Sequence, residues 1–458
     1  MHVKSSYKDP SGFLFWKDGE LFRAIKVYYK NHYDFFVNSG LYKKLVDNKF
    51  LIQHEEVEKF PFSDSQIYKI IKPVKINFIS YPFEWSFAQL KDAALLTLNI
   101  LHLALEYGMT LKDASAYNIQ FFQGKPVFID TLSFEIIENN KPWIAYKQFC
   151  QHFIAPLALM AYKDVRLNQL LKTNLDGIPL DLANALLPLK GKMNFGILLN
   201  LVLHASAQKK FSTGKFEKRN INSNYSLNSL KGLFVNLEKT INSIKLKAEK
   251  TVWSNYYDEI TANEYTKSKL NFVQQYIDFA KPKTLWDVGA NDGLYSRLAS
   301  DNNIDVVAFD FDHASIQKNY ELNKKENRKN ILPLVLDFSN PTSSLGWNLE
   351  EIKSFFERGN PDMVLALALV HHLAIAKNIP LDYIAQVFSK ITSWLVVEFV
   401  PKSDPKVQFM LRNRKDIFEF YSIDNFEKEF EVYFTIKKKD AVQGSQRIIY
   451  LMRNKKVP

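Results

Sequence analysis

The stretch "TLWDVGANDGLYSRL", Thr284 to Leu298, decides the fold of the C-terminal half of this chain. It predicts a strand, a glycine-bearing turn and the first turn of a helix. In an open α/β sheet, a ligand lies beyond the carboxyl end of such a strand and meets backbone N–H groups of the turn. A dinucleotide-binding turn needs three glycines. Only Gly289 fits that spacing, because Asn291 and Leu294 occupy the other two positions. The turn is therefore unsuited to a pyrophosphate.

An acidic residue, Asp287, stands at the end of the strand, two residues before Gly289. A carboxylate at this place suits a ligand that carries an ammonium and a sulfonium group. The pattern of Asp287, Gly289 and Gly293, with Asn291 between the glycines, resembles motif I of class I S-adenosylmethionine-dependent methyltransferases. The resemblance implies S-adenosylmethionine as the cofactor and these four residues as its binding site.

Further apolar runs alternate with helical stretches after this turn, which predicts an α/β fold with a doubly wound, Rossmann-like sheet. The runs are "DVVAFDFD" ending at Asp310, "ILPLVLDF" ending at Asp337, "DMVLALALVHHL" ending near His371, and "SWLVVEFVPK" with Glu398. Two last runs, joined by a short turn at Gly444, predict a β-hairpin. A reversed last strand of this kind is what the methyltransferase resemblance implies.

Two further acidic residues stand at predicted strand ends. Asp310 follows Asp287 by 23 residues, close to the spacing at which an acidic side chain bonds the ribose hydroxyls of a nucleoside. The resemblance assigns that role to Asp310, and it assigns to Asp337 a hydrogen bond from the adenine amino group. An alternative interpretation of Asp337 is the cap of a turn or helix, since "DFSNP" is also typical of a capped turn.

The pair His371 and His372 follows the fourth predicted strand, where the methyl acceptor of such enzymes meets the cofactor. An imidazole there can remove a proton from a hydroxyl or an amine as the methyl group moves. The alternative is a packing role at the start of the next helix.

No third ligand with a recognised spacing stands near the two histidines, so no metal is predicted in this half. The absence of cysteine from it favours direct transfer to oxygen or nitrogen.

The acceptor itself is not evident from the sequence. Analogy favours a glycan or a small molecule. RNA or a protein is the alternative, and the connector that carries Arg412, Arg414 and Asp416 is a candidate for substrate contacts.

The composition of the chain bounds its class. At 458 residues, 47% of them hydrophobic, it is long enough for two or three domains. Its single cysteine, Cys150, fits a reducing compartment, so we expect a cytoplasmic protein. The apolar runs are too short for a membrane span.

The net charge of +11 is concentrated at 209–250, which contains ten Lys and Arg and three Glu. A solvated linker that runs into a helix is favoured there over a nucleic-acid site.

A second constellation lies in the N-terminal half, in "LKDASAYNIQFFQGKPVFIDTLSFE". Asp113, Asn118 and Asp130 have a spacing that resembles the catalytic loop and metal-binding aspartate of protein-kinase-like folds. In such folds, one carboxylate accepts a hydroxyl proton, and an Asn and a second Asp hold Mg²⁺. Lys26, in "FRAIKVYY", is the candidate lysine for a nucleotide phosphate. ATP and Mg²⁺ are therefore candidate ligands of this half.

Several features depart from the kinase pattern. Lys112 precedes Asp113 where these kinases have other residues, "IDT" replaces Asp-Phe-Gly, and no glycine-rich loop precedes Lys26. We therefore favour a degenerate kinase-like α+β domain that binds a ligand, with active phosphotransfer as the alternative. A domain that merely binds ligands without chemistry, or an unrelated α+β domain in which Asp113 and Asn118 are turn residues, also fits the sequence.

The whole chain resembles a group of bacterial two-domain proteins that are methyltransferases or nodulation proteins of the NoeA-like kind. The motifs "SGLYKKL", "LKDASAYNIQF", "LWDVGANDG" and "LALALVHHLAI" carry this resemblance, and they cover nearly the full length. The domains expected are a kinase-like domain at 1–208, a basic linker and helix at 209–250, and a methyltransferase domain at 251–458. The oligomeric state is not indicated by the sequence.

Overall fold

The computed structural model describes residues 2–57, 65–138, 140–203, 205, 226–247, 264–412 and 415–456. The chain divides into two compact units. The first comprises Met1–Ala248 with Ser344–Ile352, and the second comprises Glu249–Ser343 with Lys353–Pro458. Much of the basic linker predicted at 209–250, together with the segment that follows it, lies outside the described residues.

The described residues of the first unit form three small antiparallel sheets. Its described strands are β1 Gly12–Lys17, β2 Glu20–Lys26, β3 His54–Glu56, β4 Ile67–Pro73, β5 Met109–Leu111, β6 Ile119–Phe122, β7 Lys125–Phe128 and β8 Phe134–Ile136. The largest sheet has the order β1-β2-β4-β3, and β5 pairs with β8 and β6 with β7. The mixed α and β content fits the predicted α+β class, and a kinase-like fold for this unit stays a prediction.

The helices of the first unit include one long buried helix. The described α-helices are α1 Lys30–Asn38, α2 Leu41–Asp47, α3 Phe87–Glu106, α4 Tyr146–Phe149, α5 Ala155–Tyr162, α6 Leu170–Thr173, α7 Leu180–Leu186, α8 Leu189–Lys192, α9 Phe195–Ile197 and α10 Leu227–Ser243. Ser86 caps α3 by accepting the N–H of Gln89, which satisfies a donor that the helix itself leaves unpaired. Helix α10 packs against α3, with the rings of His102 and Phe234 5.9 Å apart.

The second unit is built on one sheet of seven described strands. They are β9 Thr284–Val288, β10 Asp305–Asp310, β11 Ile331–Val335, β12 Met363–Ala366, β13 Trp394–Phe399, β14 Phe434–Ala441 and β15 Ile448–Asn454. Their order is β11-β10-β9-β12-β13-β15-β14. The first five are parallel to one another, and β15 runs antiparallel to both of its neighbours. The predicted α/β class is confirmed for this unit, and the hairpin around Gly444 is present.

Helices cover both faces of this sheet, as an all-parallel core requires. They are α11 Glu264–Ala280, α12 Leu294–Asp301, α13 His313–Lys325, α14 Leu381–Ile391, α15 Pro405–Leu411 and α16 Ile423–Glu431. Successive strand residues point to opposite faces. Leu285 therefore joins the core beneath α11 and α12, whereas Trp286 packs against Phe309 and Phe355 on the other face, with ring centroids 5.5 and 4.9 Å apart.

The fourth strand is shorter than the sequence predicted. It ends at Ala366, five residues before His371, although the apolar run continues. The physical reason lies at Ala368, whose backbone has φ of +50° and whose N–H donates to the Glu398 carboxylate instead of to a neighbouring strand. This left-handed residue turns the chain out of the sheet, and a π-helical turn, His372–Ala376, follows.

Candidate functional site

A cavity of about 300 Å³ opens at the carboxyl ends of the parallel strands. Its wall consists of residues that follow four different strands, which is where α/β sheets bind ligands. The lining residues from these strand ends are Val288, Gly289, Asn291, Asp310, Phe311, Leu336, Asp337, Phe338, Ser339, Leu367, Ala368, Leu369, His371, His372 and Leu373, and Ala376, Lys377, Lys406 and Arg447 complete the wall. The cavity lies within the size range of small-molecule sites.

The glycine turn and Asp310 form one side of the cavity. Gly289 has φ of +83°, a conformation that glycine adopts without strain. Because glycine has no side chain, it leaves space for a ligand at this point of the cavity wall. The Asp310 carboxylate accepts the N–H of Asn291 at 2.8 Å and that of Asp312 at 2.9 Å. Burial raises the pKa of Asp310 to about 6. A ligand hydroxyl that donates to this carboxylate would favour its charged form.

Two residues of the predicted motif lie behind the cavity wall rather than in it. Asp287 is buried, and its carboxylate accepts a 2.6 Å hydrogen bond from the Ser296 hydroxyl of α12. Burial raises the pKa of Asp287 to about 6, and the Ser296 bond opposes that rise. Gly293 caps α12 with φ of +83°, and a Cβ there would lie 2.4 Å from the Asn319 amide. Asp287 and Gly293 therefore support the conformation of the turn without lining the cavity.

Another part of the cavity wall is apolar with one acidic group. Phe311, Leu336 and Phe338 present hydrocarbon surface, which suits a flat aromatic base. Asp337 accepts from the backbone N–H and the hydroxyl of Ser339, at 2.8 and 2.6 Å. Its side chain remains 43% exposed and lies 3.6 Å from Lys377. The turn described by the alternative interpretation of Asp337 is therefore present, and Asp337 also faces the cavity.

His371 and His372 are both part of the cavity wall. His371 is buried, and neither of its ring nitrogens has a hydrogen-bond partner. Burial lowers the pKa of His371 well below its usual value, and the charges of nearby Arg447 and Lys406 lower it further. The pKa of His372 is also lowered, mainly by burial. Both rings are therefore neutral at physiological pH, and both nitrogens of His371 are buried without a hydrogen-bond partner.

A buried ionic network that sequence reasoning missed lies behind the histidines. Arg447 lines the cavity and pairs with Asp404 at 2.7 Å and with Glu398 at 3.5 Å. Glu398 also accepts from Lys269 at 2.8 Å. The members come from α11, β13, the N-cap of α15 and the last hairpin turn, so no local pattern could have indicated them. Phe311 was missed as well, although its place directly after Asp310 offered a signal.

The N-terminal constellation is brought together by the fold of the first unit. Asp113 is half-buried, and the loss of water around it raises its pKa; its carboxylate accepts the Ser115 N–H at 2.9 Å. Asn118 donates to the Ser133 hydroxyl, and that hydroxyl donates to Asp130. Asp113 also interacts with Asn118 and Asp130, so the three residues form one polar cluster.

Arg23, which the sequence did not single out, holds the predicted metal ligand of this cluster. Its guanidinium lies 2.5 Å from Asp130 and 2.6 Å from Asp9. Lys26 ends β2, and its backbone N–H donates to Ser11. In the described ranges, no contact joins the Lys26 side chain to the cluster. The Asp130 carboxylate thus pairs with a guanidinium.

Other predicted features are located as follows. Asp416 pairs with Lys402 at 2.9 Å on the surface, and Arg412 is exposed, while Arg414 lies outside the described residues. Within the described part of the chain, no group of three or more His, Cys, Asp or Glu side chains is placed to hold a metal ion. The helices of that part include none with the length and hydropathy needed to cross a bilayer.

The sheet and its carboxyl edge define the second unit as an α/β domain whose strand-end residues resemble those of class I methyltransferases. The whole chain is 31% identical over 459 aligned positions to the nodulation protein NoeA of Rhizobium meliloti strain 1021, covering 98% of this chain and 95% of that protein. This chain therefore belongs to the NoeA family. No protein-family model matches it.

Solved structures that are similar to parts of the chain include the following two methyltransferases. The bifunctional kinase-methyltransferase WbdD matches with a TM-score of 0.32 and 16% identity, over 47% of this chain and 46% of that one. The N-methyltransferase NodS from Bradyrhizobium japonicum WM9 matches with a TM-score of 0.32 and 10% identity, over 43% of this chain and 99% of that one. At such TM-scores these likenesses support no inference about activity.

Proposed function

We propose that the second unit transfers a methyl group from S-adenosylmethionine to an oxygen or nitrogen of an acceptor. The observation that carries this proposal is that one cavity brings together the glycine turn, Asp310, Asp337 and His371, whose ring nitrogens have no hydrogen-bond partner. These side chains can bind both a nucleoside and an acceptor group. The resemblance of the strand-end pattern to motif I supports the choice of cofactor.

The residues of the cavity fit S-adenosylmethionine. The turn around Gly289 can approach the ligand closely, because it presents no Cβ there. The Asp310 carboxylate is placed to accept from ribose hydroxyls, and Phe311, Leu336 and Phe338 offer apolar surface to the base. Asp337 is exposed enough to accept from the adenine amino group. When bound, this cofactor supplies the methyl group as an electrophilic carbon on a sulfonium.

The chain's own contribution is orientation and a base. Holding the acceptor in line with the methyl group accounts for most of the rate enhancement in such transfers. The neutral ring of His371 can accept the proton that an acceptor hydroxyl or amine loses as its lone pair bonds the methyl carbon. His372, next to it in the wall, is the second candidate for this role.

For the acceptor we propose a glycan or another small molecule, by analogy with the nodulation protein that this chain resembles. RNA is the alternative, since the basic segment at 209–250 could guide it. Affinity for RNA that falls steeply between low and physiological salt would favour the alternative. Lack of RNA binding at low salt would eliminate it.

For the first unit we propose a ligand-binding role without phosphotransfer. The pairing of Asp130 with Arg23 supports this, because a carboxylate that is bonded to a guanidinium is a poor ligand for Mg²⁺. Titration of ATP with Mg²⁺ in a calorimeter tests it. Binding that disappears in Asp130→Ala would instead support an active phosphotransferase.

The test of the main proposal is calorimetric binding of S-adenosylmethionine and S-adenosylhomocysteine, with tritiated methyl transfer into cell extract as the second readout. We expect binding to both ligands and label incorporation, and loss of both in Asp310→Ala. The matched control is Asp312→Ala, which removes a neighbouring carboxylate that caps α13 outside the cavity. Absence of binding to either ligand would overturn the proposal.

A further inference from the structure

The turn at Ala368 is a strained element in the wall of the cavity. Its φ of +50° is left-handed, a region that residues with a Cβ rarely adopt. Its backbone N–H donates a 2.7 Å hydrogen bond to Glu398. Strained backbone of this kind persists only where surrounding groups enforce it, and the carboxylate is the group that does so here.

Glu398 is itself held rigidly. Its side chain is fully buried and accepts from the Tyr265 hydroxyl at 3.0 Å and from Lys269 at 2.8 Å. Burial opposes its ionisation, but the charges of Lys269 and Arg447 keep the pKa of Glu398 below its usual value. The acceptor of the Ala368 N–H is therefore a charged oxygen, and hydrogen bonds to charged groups are among the strong ones.

The position of the turn links it to the site. Leu367, Ala368 and Leu369 form the wall that faces the glycine turn, and a Cβ on Gly289 would lie 3.7 Å from Leu369. His371 comes three residues after Ala368. A change in the backbone at Ala368 would therefore move His371 relative to the glycine turn.

We propose that Glu398 is a positioning residue, which holds Ala368 in its left-handed turn and so sets the distance between the glycine turn and His371. This inference rests on the proposed methyl transfer. It predicts that loss of the Glu398 carboxylate lowers the rate of transfer and leaves the affinity for the cofactor product nearly unchanged, because Asp310 and the glycine turn lie on other strands.

The substitution Ala368→Gly distinguishes a positioning role of Glu398 from a purely structural role. Glycine adopts positive φ without strain, so Ala368→Gly should make the turn independent of the carboxylate. In Glu398→Gln we expect a fall of about 10- to 100-fold in methyl transfer into cell extract at saturating cofactor. Adding Ala368→Gly should restore at least about tenfold.

Two further variants guard against misfolding and against a charge effect. Lys269→Met/Glu398→Met removes the buried cation together with the carboxylate, an exchange that buried ion pairs usually tolerate, and it should show the same loss and the same rescue. Asp404→Asn removes a different carboxylate from Arg447 without touching Ala368, and it should transfer methyl groups nearly as fast as the wild type.

Three outcomes would overturn the positioning role. They are equal losses in Glu398→Gln and Asp404→Asn, no rescue by Ala368→Gly, or a fall in S-adenosylhomocysteine affinity as large as the fall in rate. Hydrogen–deuterium exchange of the peptide that spans 367–373 adds a readout that needs no acceptor. Faster exchange in Glu398→Gln is expected and unchanged exchange would refute the role, even if the wild type transferred no methyl group and the proposed function had failed.

Discussion

The carboxylate of Asp310 accepts the backbone N–H of Asn291 at 2.8 Å. This bond joins the end of β10 to the turn after β9. Asp310 and the glycine turn, both predicted to bind the cofactor, are therefore linked by a hydrogen bond. Because Asp310 is buried, its pKa is raised to about 6. The site can therefore lose its charge within an accessible pH range.

We predict that affinity for S-adenosylhomocysteine falls as the pH drops below about 6. The ionised Asp310 accepts hydrogen bonds from ligand hydroxyls, and a ligand that prefers the ionised form binds up to about tenfold more weakly for each pH unit below the pKa. Calorimetry between pH 5 and pH 8 measures this. In Asp310→Asn the dependence should largely vanish, and the same slope in that variant would assign the effect to another group.

His371→Leu should stabilise the ligand-free protein while it lowers the rate of methyl transfer. Both ring nitrogens of His371 are buried without partners, and burying an unsatisfied polar group costs about 1–3 kcal/mol. An apolar side chain of similar size removes that cost. Thermal unfolding should therefore show a higher midpoint. Methyl transfer should fall by about 100-fold or more if His371 is the base.

His372→Leu is the matched control for that prediction. His372 is less buried than His371, so its replacement should raise the unfolding midpoint less. If His372→Leu loses more activity than His371→Leu, the base is His372 and the roles of the two residues are exchanged.

Gly293→Ala should destabilise the protein more than Gly289→Ala does. Both glycines have φ of +83°, so each substitution costs about 1–2 kcal/mol of backbone strain. Only at Gly293 would the new Cβ overlap a neighbour, the Asn319 amide at 2.4 Å, whereas at Gly289 the nearest atom is 3.7 Å away. Urea denaturation of the two variants measures the difference. Equal losses would contradict the packing role of Gly293.

Arg23→Met should destabilise the first unit by about 3 kcal/mol, because it leaves the carboxylates of Asp130 and Asp9 without their partner. The Arg23 side chain is only 12% exposed, so water compensates little. Asp9→Asn removes one of the two pairs and keeps an acceptor, so it should cost about 1 kcal/mol. Chemical denaturation of both variants is the measurement. A larger effect of Asp9→Asn would show that Asp130 does not depend on Arg23.

Local patterns predicted the strands of the second unit. The apolar runs "TLWDV", "DVVAFD" and "WLVVEF" are β9, β10 and β13 in the structure, because a strand buried on both faces needs a continuous apolar run. The same reasoning made β12 too long. Its run continues past Ala366, but the strand ends there, and Ala368 turns away with a left-handed φ and donates to Glu398, a contact between residues 30 positions apart.

The sequence by itself determined the residues at the strand ends and the class of the second unit, because backbone periodicity and turn chemistry are local properties. It also indicated Asp113, Asn118 and Asp130 as one group. Only the tertiary structure decided which residues surround them. Arg23 beside Asp130, and Arg447, Lys269 and Glu398 behind the histidines, come from distant segments. Their pairing depends on how the elements pack. That packing brings together opposite charges from different segments, so no local stretch of sequence contains both partners.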